Sequence, residues 1–367
     1  KETKKSLRGC YVLRAVDRSS RRGVGGIVVE LYRLATSQQE TARKEMMLAS
    51  SFRFGRRGVH AKVTYPIRPA EGRINGRLID EEHWSKVASI FPNEKWDSSQ
   101  TLLLDDGYEE RDILIEDARL TEPRLEKEGF ALIRAPTVVN DMFKEKEQFL
   151  NRVRKTLENT FKKTKTIVPF HWLVRDSLRD NLDSSRGPAS FNGQAHAPVQ
   201  RVHGDYTIQN APLRFQELQA KGTLPADWNH ETEHWAIVNL WQNLGLEPIR
   251  SKPLALLDAS SIQYDRVFEY VLVCRSNNNV GRNYSIDYDP MHRWFFFPSM
   301  TPDEAILFFT YEHATTIEKN STVGAKERYV FHSAFDLPPS LSIPPPRISI
   351  EVRSLVVFDS ADSTYTT

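Results

Sequence analysis

The C-terminal half of the chain consists of short runs of aromatic and β-branched residues, separated by turns rich in Pro, Asn and Gly. Six such runs occupy residues 235–241, 268–275, 294–297, 305–311, 329–335 and 347–358. Short runs of this composition between turn residues are typical of β-strands. Only residues 140–165 form a main stretch whose apolar residues recur at helical spacing. The pattern therefore predicts a mainly β fold, a double-sheet jelly roll with flanking helices.

Length and composition are those of an ordinary globular protein. The chain has 367 residues, of which 40% are hydrophobic and 27% are charged, so it can bury a sizeable core. It contains no apolar run long enough to span a bilayer. Its two cysteines, Cys10 and Cys274, form neither a disulfide framework nor a metal-binding pair. We expect an intracellular, reduced setting and a cytoplasmic protein.

Charge is unevenly distributed along the chain. Residues 1–60 contain fourteen Lys and Arg against five Asp and Glu, and because the total is only +2 the remainder carries −7. Such a basic segment suits nucleic acid, a membrane surface or a targeting role, but a solvated extension is the simpler interpretation. We therefore predict a basic N-terminal extension (1–59) and one jelly-roll domain (60–367). The acidic remainder gives no reason to expect a nucleic-acid or membrane partner.

One short motif in the second half has the spacing of a metal site. His203 and Asp205 are two residues apart, and side chains two apart on an extended segment project to the same side. Two such ligands plus a distant His form the two-His-one-carboxylate triad of non-haem Fe(II) oxygenases. The motif alone is weak, because with ten His in the chain about one chance match is expected.

The last two predicted strands supply the missing groups. His332 is the candidate third ligand, although a buried His bonded to a backbone carbonyl would look the same in sequence. Strand alternation places Arg347, Ser349 and Arg353 on one face of the final strand. A guanidinium with a nearby hydroxyl is suited to a dicarboxylate such as 2-oxoglutarate. Either Arg347 or Arg353 can be the residue that grips the carboxylate.

Seven stretches, in consistent order from about residue 60 to residue 358, resemble a known family. They are EGFA at 128–131, VHGDYT at 202–207, WAIVNLW at 235–241, DPMHRW at 289–294, MTPDEA at 300–305, FHSAF at 331–335 and PRISIEVR at 346–353. The family is that of the fungal iron- and 2-oxoglutarate-dependent oxygenases similar to gibberellin desaturase and aspergillic acid hydroxylase. One departure is that Gln242 and Asn243 follow Trp241, where the family tends to have a basic residue and Pro.

The resemblance implies a fold and a reaction. The fold would be a double-stranded β-helix in which His203, Asp205 and His332 hold Fe(II). The co-substrates would be 2-oxoglutarate and O₂, and the enzyme would hydroxylate or desaturate an unactivated C–H position of a small secondary metabolite. The resemblance leaves the identity of that metabolite and the oligomeric state open.

Two alternatives compete with an oxygenase. The motif His230-Glu231-x-x-His234 fits the pattern H-E-x-x-H, which on a helix gives two zinc ligands and the general base of a metallopeptidase. Its context is poor, because a strand-like run begins directly after it at Trp235. The other alternative is a jelly-roll binding protein without turnover.

Aromatic and polar residues that could line a substrate pocket are Phe170, Trp235, Trp241, Tyr284, His292 and Arg293.

Overall fold

Short strands account for most of the regular structure in the residues that the computed structural model describes, which are 58–71, 73–97, 102–104, 107–135, 146–178, 195–313, 327–339 and 344–359. These strands are β1 (Gly58–Pro66), β2 (Arg73–Ile79), β3 (Leu102–Leu104), β4 (Tyr108–Asp117), β5 (Phe130–Arg134), β6 (Thr164–Asp176), β7 (Trp235–Asn243), β8 (Leu254–Leu257), β9 (Val267–Cys274), β10 (Val280–Ile286), β11 (Trp294–Phe296), β12 (Glu304–His313), β13 (Glu327–Arg328), β14 (His332–Ala334) and β15 (Ile348–Phe358). The α-helices among these residues are α1 (Glu81–Val87), α2 (Lys146–Thr160) and α3 (Asn210–Ala220). The predicted mainly β fold with flanking helices is confirmed.

The strands form three sheets. The largest has the order β13-β12-β7-β15-β6, and β5 also pairs with β12. A five-stranded sheet has the order β1-β4-β11-β8-β14, and a four-stranded sheet has the order β10-β9-β2-β3. Most neighbouring strands are antiparallel and far apart in sequence, so distant segments of the chain meet in each sheet. Such sheets, curled around a shared interior, are the basis of a jelly roll.

Helix α2 covers the outer face of the largest sheet. Its buried residues Phe149, Val153 and Leu157 recur every four positions and therefore lie on one side of the helix. They pack in one cluster with outward-facing residues of β7 and β15, including Val238 and Val352. Burial of this apolar stripe, rather than the helix propensity of a highly charged segment, fixes the helix on the sheet.

The helix is shorter than the sequence suggested. We expected a helical stretch over residues 140–165, but α2 ends at Thr160 and β6 starts at Thr164. The backbone reverses through Lys163, which has a left-handed φ of +59°. A lysine gives no signal for such a turn in the way that a glycine would. Residues 136–145 lie outside the described part of the chain.

The final strand, β15, separates a packing face from a polar face. It lies between β7 and β6 in the centre of the largest sheet. Its residues Ile350 and Val352 pack toward α2, whereas Ser349, Glu351 and Arg353 alternate with them and face the interior. All five are buried. This alternation brings a line of polar groups into the space between the sheets.

The described residues belong to one compact unit, 57–367. The predicted boundary between residues 59 and 60 stays a prediction, because residues 1–57 lie outside the described part of the chain. Within that part, the helices are all too short or too polar to cross a membrane.

Packing of α2 on the sheet is open to a direct test of stability. Leu157 is fully buried, whereas Lys155 lies exposed on the same helix. We expect Leu157→Ala to lower the free energy of unfolding by about 2–5 kcal/mol, because it removes buried methyl groups and leaves a cavity. Lys155→Ala should change it by less than about 0.5 kcal/mol. Urea unfolding measures both, and equal effects would contradict the packing.

Candidate metal centre

Two histidines that are distant in sequence are joined through their backbones. His203 and His332 form an antiparallel bridge in which each backbone N–H donates to the other residue's carbonyl, at 3.2 and 3.0 Å. Their ring centroids are 4.3 Å apart. His332 is on β14 at the edge of the five-stranded sheet, so the bridge brings the segment around His203 to that sheet. The predicted third candidate ligand therefore lies beside the first.

Both imidazoles are oriented by backbone carbonyls. The Nδ1 atom of His203 lies 2.7 Å from the carbonyl oxygen of Arg201, and that of His332 lies 3.2 Å from the carbonyl oxygen of Val330. Because a carbonyl only accepts, each Nδ1 donates the hydrogen bond, and Nε2 is the ring nitrogen left to bind a metal ion. Burial, followed by the neighbouring His332, lowers the pKa of His203 to about 3, which keeps its ring neutral.

Asp205, two residues further along the same segment as His203, completes the group. Gly204 forms a second backbone bridge, to Tyr284 on β10, which fixes the turn between His203 and Asp205. The carboxylate oxygen Oδ1 of Asp205 lies 3.9 Å from Nε2 of His203 and 4.0 Å from Nε2 of His332. Within the described residues, these are the three side chains whose ligand atoms could hold one metal ion, all within 4.8 Å of one another.

The carboxylate is ionised although it is buried. Burial by itself raises the pKa of Asp205, but the guanidinium of Arg353 holds that pKa well below its usual range. Nη2 of Arg353 donates to Oδ1 of Asp205 at 3.0 Å. Oδ2 of Asp205 is buried without a hydrogen-bond partner. A buried carboxylate oxygen without a donor is unfavourable unless a cation binds to it.

The donor set fits a divalent iron site. Two imidazole nitrogens and one carboxylate, all from one side, leave further coordination positions open. The carboxylate oxygen of Asp205 that has no partner among the described residues and the two Nε2 atoms are the donors that such an ion requires. Each Nδ1 hydrogen-bonds to a backbone carbonyl, a contact that usually orients metal-ligating imidazoles.

Arg353 links this group to the largest sheet. It is only 1% exposed, and its guanidinium contacts Asp205, Glu351 at 3.4 Å and Nδ1 of His171 at 3.1 Å. Burial alone lowers the pKa of Arg353, but the carboxylates of Asp205 and Glu351 raise it above its usual value. The three candidate ligands therefore lie between two sheets, with His332 on one and Arg353 on the other.

Arg347 and Ser349 lie further along the same interior face and lack such partners. Arg347 is 4% exposed, stacks over Trp241 and donates from Nη1 to the carbonyl oxygen of Lys252, but its Nε has no partner. The hydroxyl of Ser349 is fully buried and also has none. Within the described part of the chain, Arg347 has no ion-pair partner. Burial, and then the nearby Arg175, lowers the pKa of Arg347 to about 9.

Arg175 and Asn239 are polar interior residues that the sequence analysis did not identify as part of the site. Arg175 is opposite Ser349 in the pairing of β6 with β15, and it forms an ion pair with Glu351 at 3.1 Å. Asn239 is opposite Arg353 in the pairing of β7 with β15. Only cross-strand register brings these residues together, so no spacing in the sequence could have revealed them.

The competing H-E-x-x-H motif does not form a metal site. Residues 229–234 form a turn rather than a helix, and β7 starts directly afterwards at Trp235. His230 is half-buried and contacts Gln216, whereas His234 is buried against Glu312 at 3.2 Å. The two histidines therefore have separate environments, and the metallopeptidase interpretation loses its geometric basis.

The proposed lining residues have different environments. Trp235 is fully buried in the cluster between the sheet and α3, so it belongs to the core. Tyr284 is half-buried and packs against Tyr329 at 4.9 Å between ring centroids. His292 stacks on Tyr65, and Arg293 pairs with Asp258. Phe170 lies under the guanidinium of Arg214.

A jelly roll that carries two imidazoles and one carboxylate on one side of an interior site defines the class of non-haem Fe(II) oxygenases. A family profile described as "Oxidoreductase/YMDC permease-like domain" matches residues 80–357. The chain belongs to this family, and with it to the fungal iron- and 2-oxoglutarate-dependent oxygenases that the resemblance indicated.

Relatives of known designation are fungal proteins. The hydroxylase/desaturase efuI of Hormonema carpetanum is 27% identical over 277 residues, which cover 70% of this chain and 86% of the relative. The alpha-ketoglutarate-dependent dioxygenase phiK of a fungal species is 27% identical over 251 residues, 68% of this chain and 84% of the relative. The hydroxylase/desaturase asaB of Aspergillus flavus is 31% identical over 189 residues, which cover 46% of this chain and 77% of the relative.

A solved structure has the same fold. The iron and alpha-ketoglutarate-dependent endoperoxidase NvfI aligns with a TM-score of 0.60 at 16% identity, over 83% of this chain and 99% of that protein. Together with the relatives, this confirms the expected enzyme class, a non-haem oxygenase that uses Fe(II), 2-oxoglutarate and O₂.

Measuring metal affinity shows whether the metal is bound by the group that contains His332 or by the H-E-x-x-H motif that contains His230. Manganese(II) is a redox-inert substitute for Fe(II), and equilibrium dialysis measures its affinity. We expect His332→Ala to weaken Mn(II) binding more than about tenfold. Loss of a residue that only hydrogen-bonds to a metal ligand already weakens metal binding about tenfold or more, and loss of the ligand itself should weaken it further. The control His230→Ala should bind as the unaltered protein does. Binding that survives in His332→Ala and disappears in His230→Ala would reverse the assignment.

Proposed function

We propose that this protein is an Fe(II)- and 2-oxoglutarate-dependent dioxygenase that hydroxylates or desaturates an unactivated C–H position of a small secondary metabolite. The observation that carries the proposal is the approach of His203, Asp205 and His332 within one buried site. The names of the fungal relatives support the reaction type. A cytoplasmic location is part of the proposal.

The three side chains would hold iron from one side. Bound iron would couple the oxidative decarboxylation of 2-oxoglutarate to oxidation of the substrate. In hydroxylation, the substrate C–H, O₂ and 2-oxoglutarate would give an alcohol, succinate and CO₂. In desaturation, the same reactants would give an alkene, water, succinate and CO₂. The protein's own part is to supply the ligands, to orient both organic molecules and to exclude water. Burial of all three ligands supports this arrangement, since His203, Asp205 and His332 are between 3% and 7% exposed.

Arg347 and Ser349 would bind the distal carboxylate of 2-oxoglutarate. Both side chains are buried, and both carry a hydrogen-bond donor without a partner. Arg175, directly opposite Ser349, adds a second guanidinium close enough to lower the pKa of Arg347. A dianionic ligand relieves this repulsion and satisfies the free donors, as in other Arg-carboxylate pairs.

Arg353 would serve the metal centre rather than the distal carboxylate. Its guanidinium already contacts Asp205 and Glu351, so its charge is balanced without a ligand. The guanidinium of Arg347, in contrast, hydrogen-bonds only to a backbone carbonyl among the described residues and forms no ion pair with them. The difference in partners supports Arg347 over Arg353 as the residue that grips the co-substrate.

Gln242 and Asn243, which depart from the family pattern, support neighbouring loops. The side-chain amide of Gln242 donates to the carbonyl oxygens of Ala135 and Pro302. That of Asn243 donates to the carbonyl oxygens of Glu247 and Met300. Because their amide hydrogens are occupied by the backbone, we do not assign either residue to the co-substrate.

The reaction class is tested by its spectrum and its products. Anaerobic addition of Fe(II) and 2-oxoglutarate should produce the visible charge-transfer band of the chelate. Admission of O₂ in the presence of candidate fungal metabolites should then yield succinate and one oxidised product in equal amounts. A protein that develops no band and forms no succinate would instead be a non-catalytic jelly-roll binding protein.

Arginine substitutions test the co-substrate site. We expect Arg347→Ala to raise the 2-oxoglutarate concentration needed for half-maximal absorbance at least about 30-fold, because a buried charged contact is worth about 2 kcal/mol or more. Iron content should stay near normal, since Arg347 contacts none of the candidate ligands.

The matched control is Arg111→Ala, whose guanidinium pairs with Glu109 at the surface. It should bind 2-oxoglutarate as the unaltered protein does. A loss that occurs in Arg353→Ala but not in Arg347→Ala would transfer the role to Arg353.

A further inference from the structure

Asn239, in the middle of β7, has a carboxamide without any partner. The residue is fully buried, and within the described part of the chain neither Oδ1 nor Nδ2 forms a hydrogen bond. Buried polar groups in native proteins are nearly always hydrogen-bonded, so an orphaned amide requires an explanation. The donor and the acceptor of this side chain are both available to a ligand.

The side chain points into the interior between the sheets. Its neighbours Val238 and Leu240 belong to the apolar cluster under α2 on the outer face, so alternation directs Asn239 to the opposite face. There it is directly opposite Arg353 of β15 on one side and Phe308 of β12 on the other. Directly opposed residues place their side chains on the same face, with Cβ atoms about 4.5–5.5 Å apart.

Both cross-strand neighbours of Asn239 contact a candidate metal ligand. Arg353 donates to the carboxylate of Asp205 at 3.0 Å, and the ring of Phe308 lies 5.0 Å from the ring of His332. The orphaned amide is therefore on the sheet surface that faces the metal centre, between the residues that contact Asp205 and His332. Nε of Arg353 is also buried and has no partner.

We propose that Asn239, together with Nε of Arg353, binds the carboxylate next to the keto group of 2-oxoglutarate. Two unpaired N–H donors, one of them on a cation, favour an anionic ligand over a neutral one. The inference rests on the proposed function and extends it, because Arg347 and Ser349 would hold only the distal end of the molecule. β15 would thus serve both ends, through Ser349 and Arg353.

The proposal has a consequence for the free protein. Replacement of Asn239 by Leu removes a buried amide that bonds to nothing and keeps a similar volume. The thermal midpoint of the free protein should therefore stay unchanged or rise. A residue that served only to hold the fold together would instead lower the midpoint when replaced.

Comparing the binding of pyruvate and 2-oxoglutarate shows which end of the co-substrate a residue contacts. Pyruvate carries the 2-oxo acid group of 2-oxoglutarate without its distal carboxylate. We would titrate each acid anaerobically into the Fe(II)-loaded protein and follow the visible band. Asn239→Leu should weaken both acids by about tenfold or more. Arg347→Ala should weaken 2-oxoglutarate and leave pyruvate unchanged.

Ser354→Ala is the matched control. Ser354 is fully buried with an unpartnered hydroxyl, but alternation along β15 places it on the outer face. It should bind both acids as the unaltered protein does. If circular dichroism shows that Asn239→Leu fails to fold, Asn239→Asp replaces it; that variant keeps the shape and should weaken both acids through repulsion between carboxylates.

Unchanged pyruvate binding in the folded Asn239 variant would overturn the inference, while a band in the unaltered protein would preserve the proposed function. Weakened binding of 2-oxoglutarate alone would overturn it too, because the contact would then be at the distal end. Absence of the band in the unaltered protein with either acid would overturn both proposals.

Discussion

The bridge between His203 and His332 determines the geometry of the whole site. Two reciprocal backbone hydrogen bonds bring together residues that are far apart in the chain, and they fix the imidazoles at 4.3 Å between centroids. The second bridge, from Gly204 to Tyr284, holds the turn that carries Asp205. Backbone pairs therefore set the positions of the three side chains. Such preorganisation reduces the reorganisation that binding would otherwise require.

β15 connects packing to chemistry through the alternation of a single strand. Its outward residues anchor the largest sheet to α2, and its inward residues Ser349, Glu351 and Arg353 face the site. A slip of one residue in the pairing with β7 would exchange the two faces and bury charges under the helix. The apolar contacts under α2 therefore fix the register that places Arg353 against Asp205. In this sense the stability of the outer face and the geometry of the inner face depend on each other.

The sequence predicts the parts of the candidate site that depend on local spacing, and the family resemblance predicts the part that lies far away along the chain. His203 and Asp205 follow from a two-residue spacing, and Arg347 and Ser349 follow from strand alternation. His332 required the order of motifs along the chain. Arg175 and Asn239 could not be found, because their roles arise from the register of β6 and β7 against β15. Nor does sequence report that an amide is left without a partner.

The fold was predictable in class but not in detail. The runs of aromatic and β-branched residues correspond to strands, yet the helix Asn210–Ala220 was not predicted, although Ala211, Phe215 and Leu218 follow helical spacing and are buried. Those residues pack against the sheet, so tertiary contact rather than a strong local signal stabilises the helix. The H-E-x-x-H motif is the opposite case, a strong local signal without the structure that it predicts. The motif is complete in the sequence, but it lies on a turn and does not bring its two histidines together.

Several polar groups around the candidate site have no partner among the described residues. Oδ2 of Asp205, Nε of Arg347, the hydroxyl of Ser349 and the amide of Asn239 are all buried without partners on the faces that surround the site. Each such group destabilises a folded protein by about 1–3 kcal/mol. A divalent cation and a dicarboxylate together supply the missing charge and acceptors, and ligands that bind only the folded state stabilise it. The fold thus gives up part of its stability to keep an interior surface that is complementary to its cofactors.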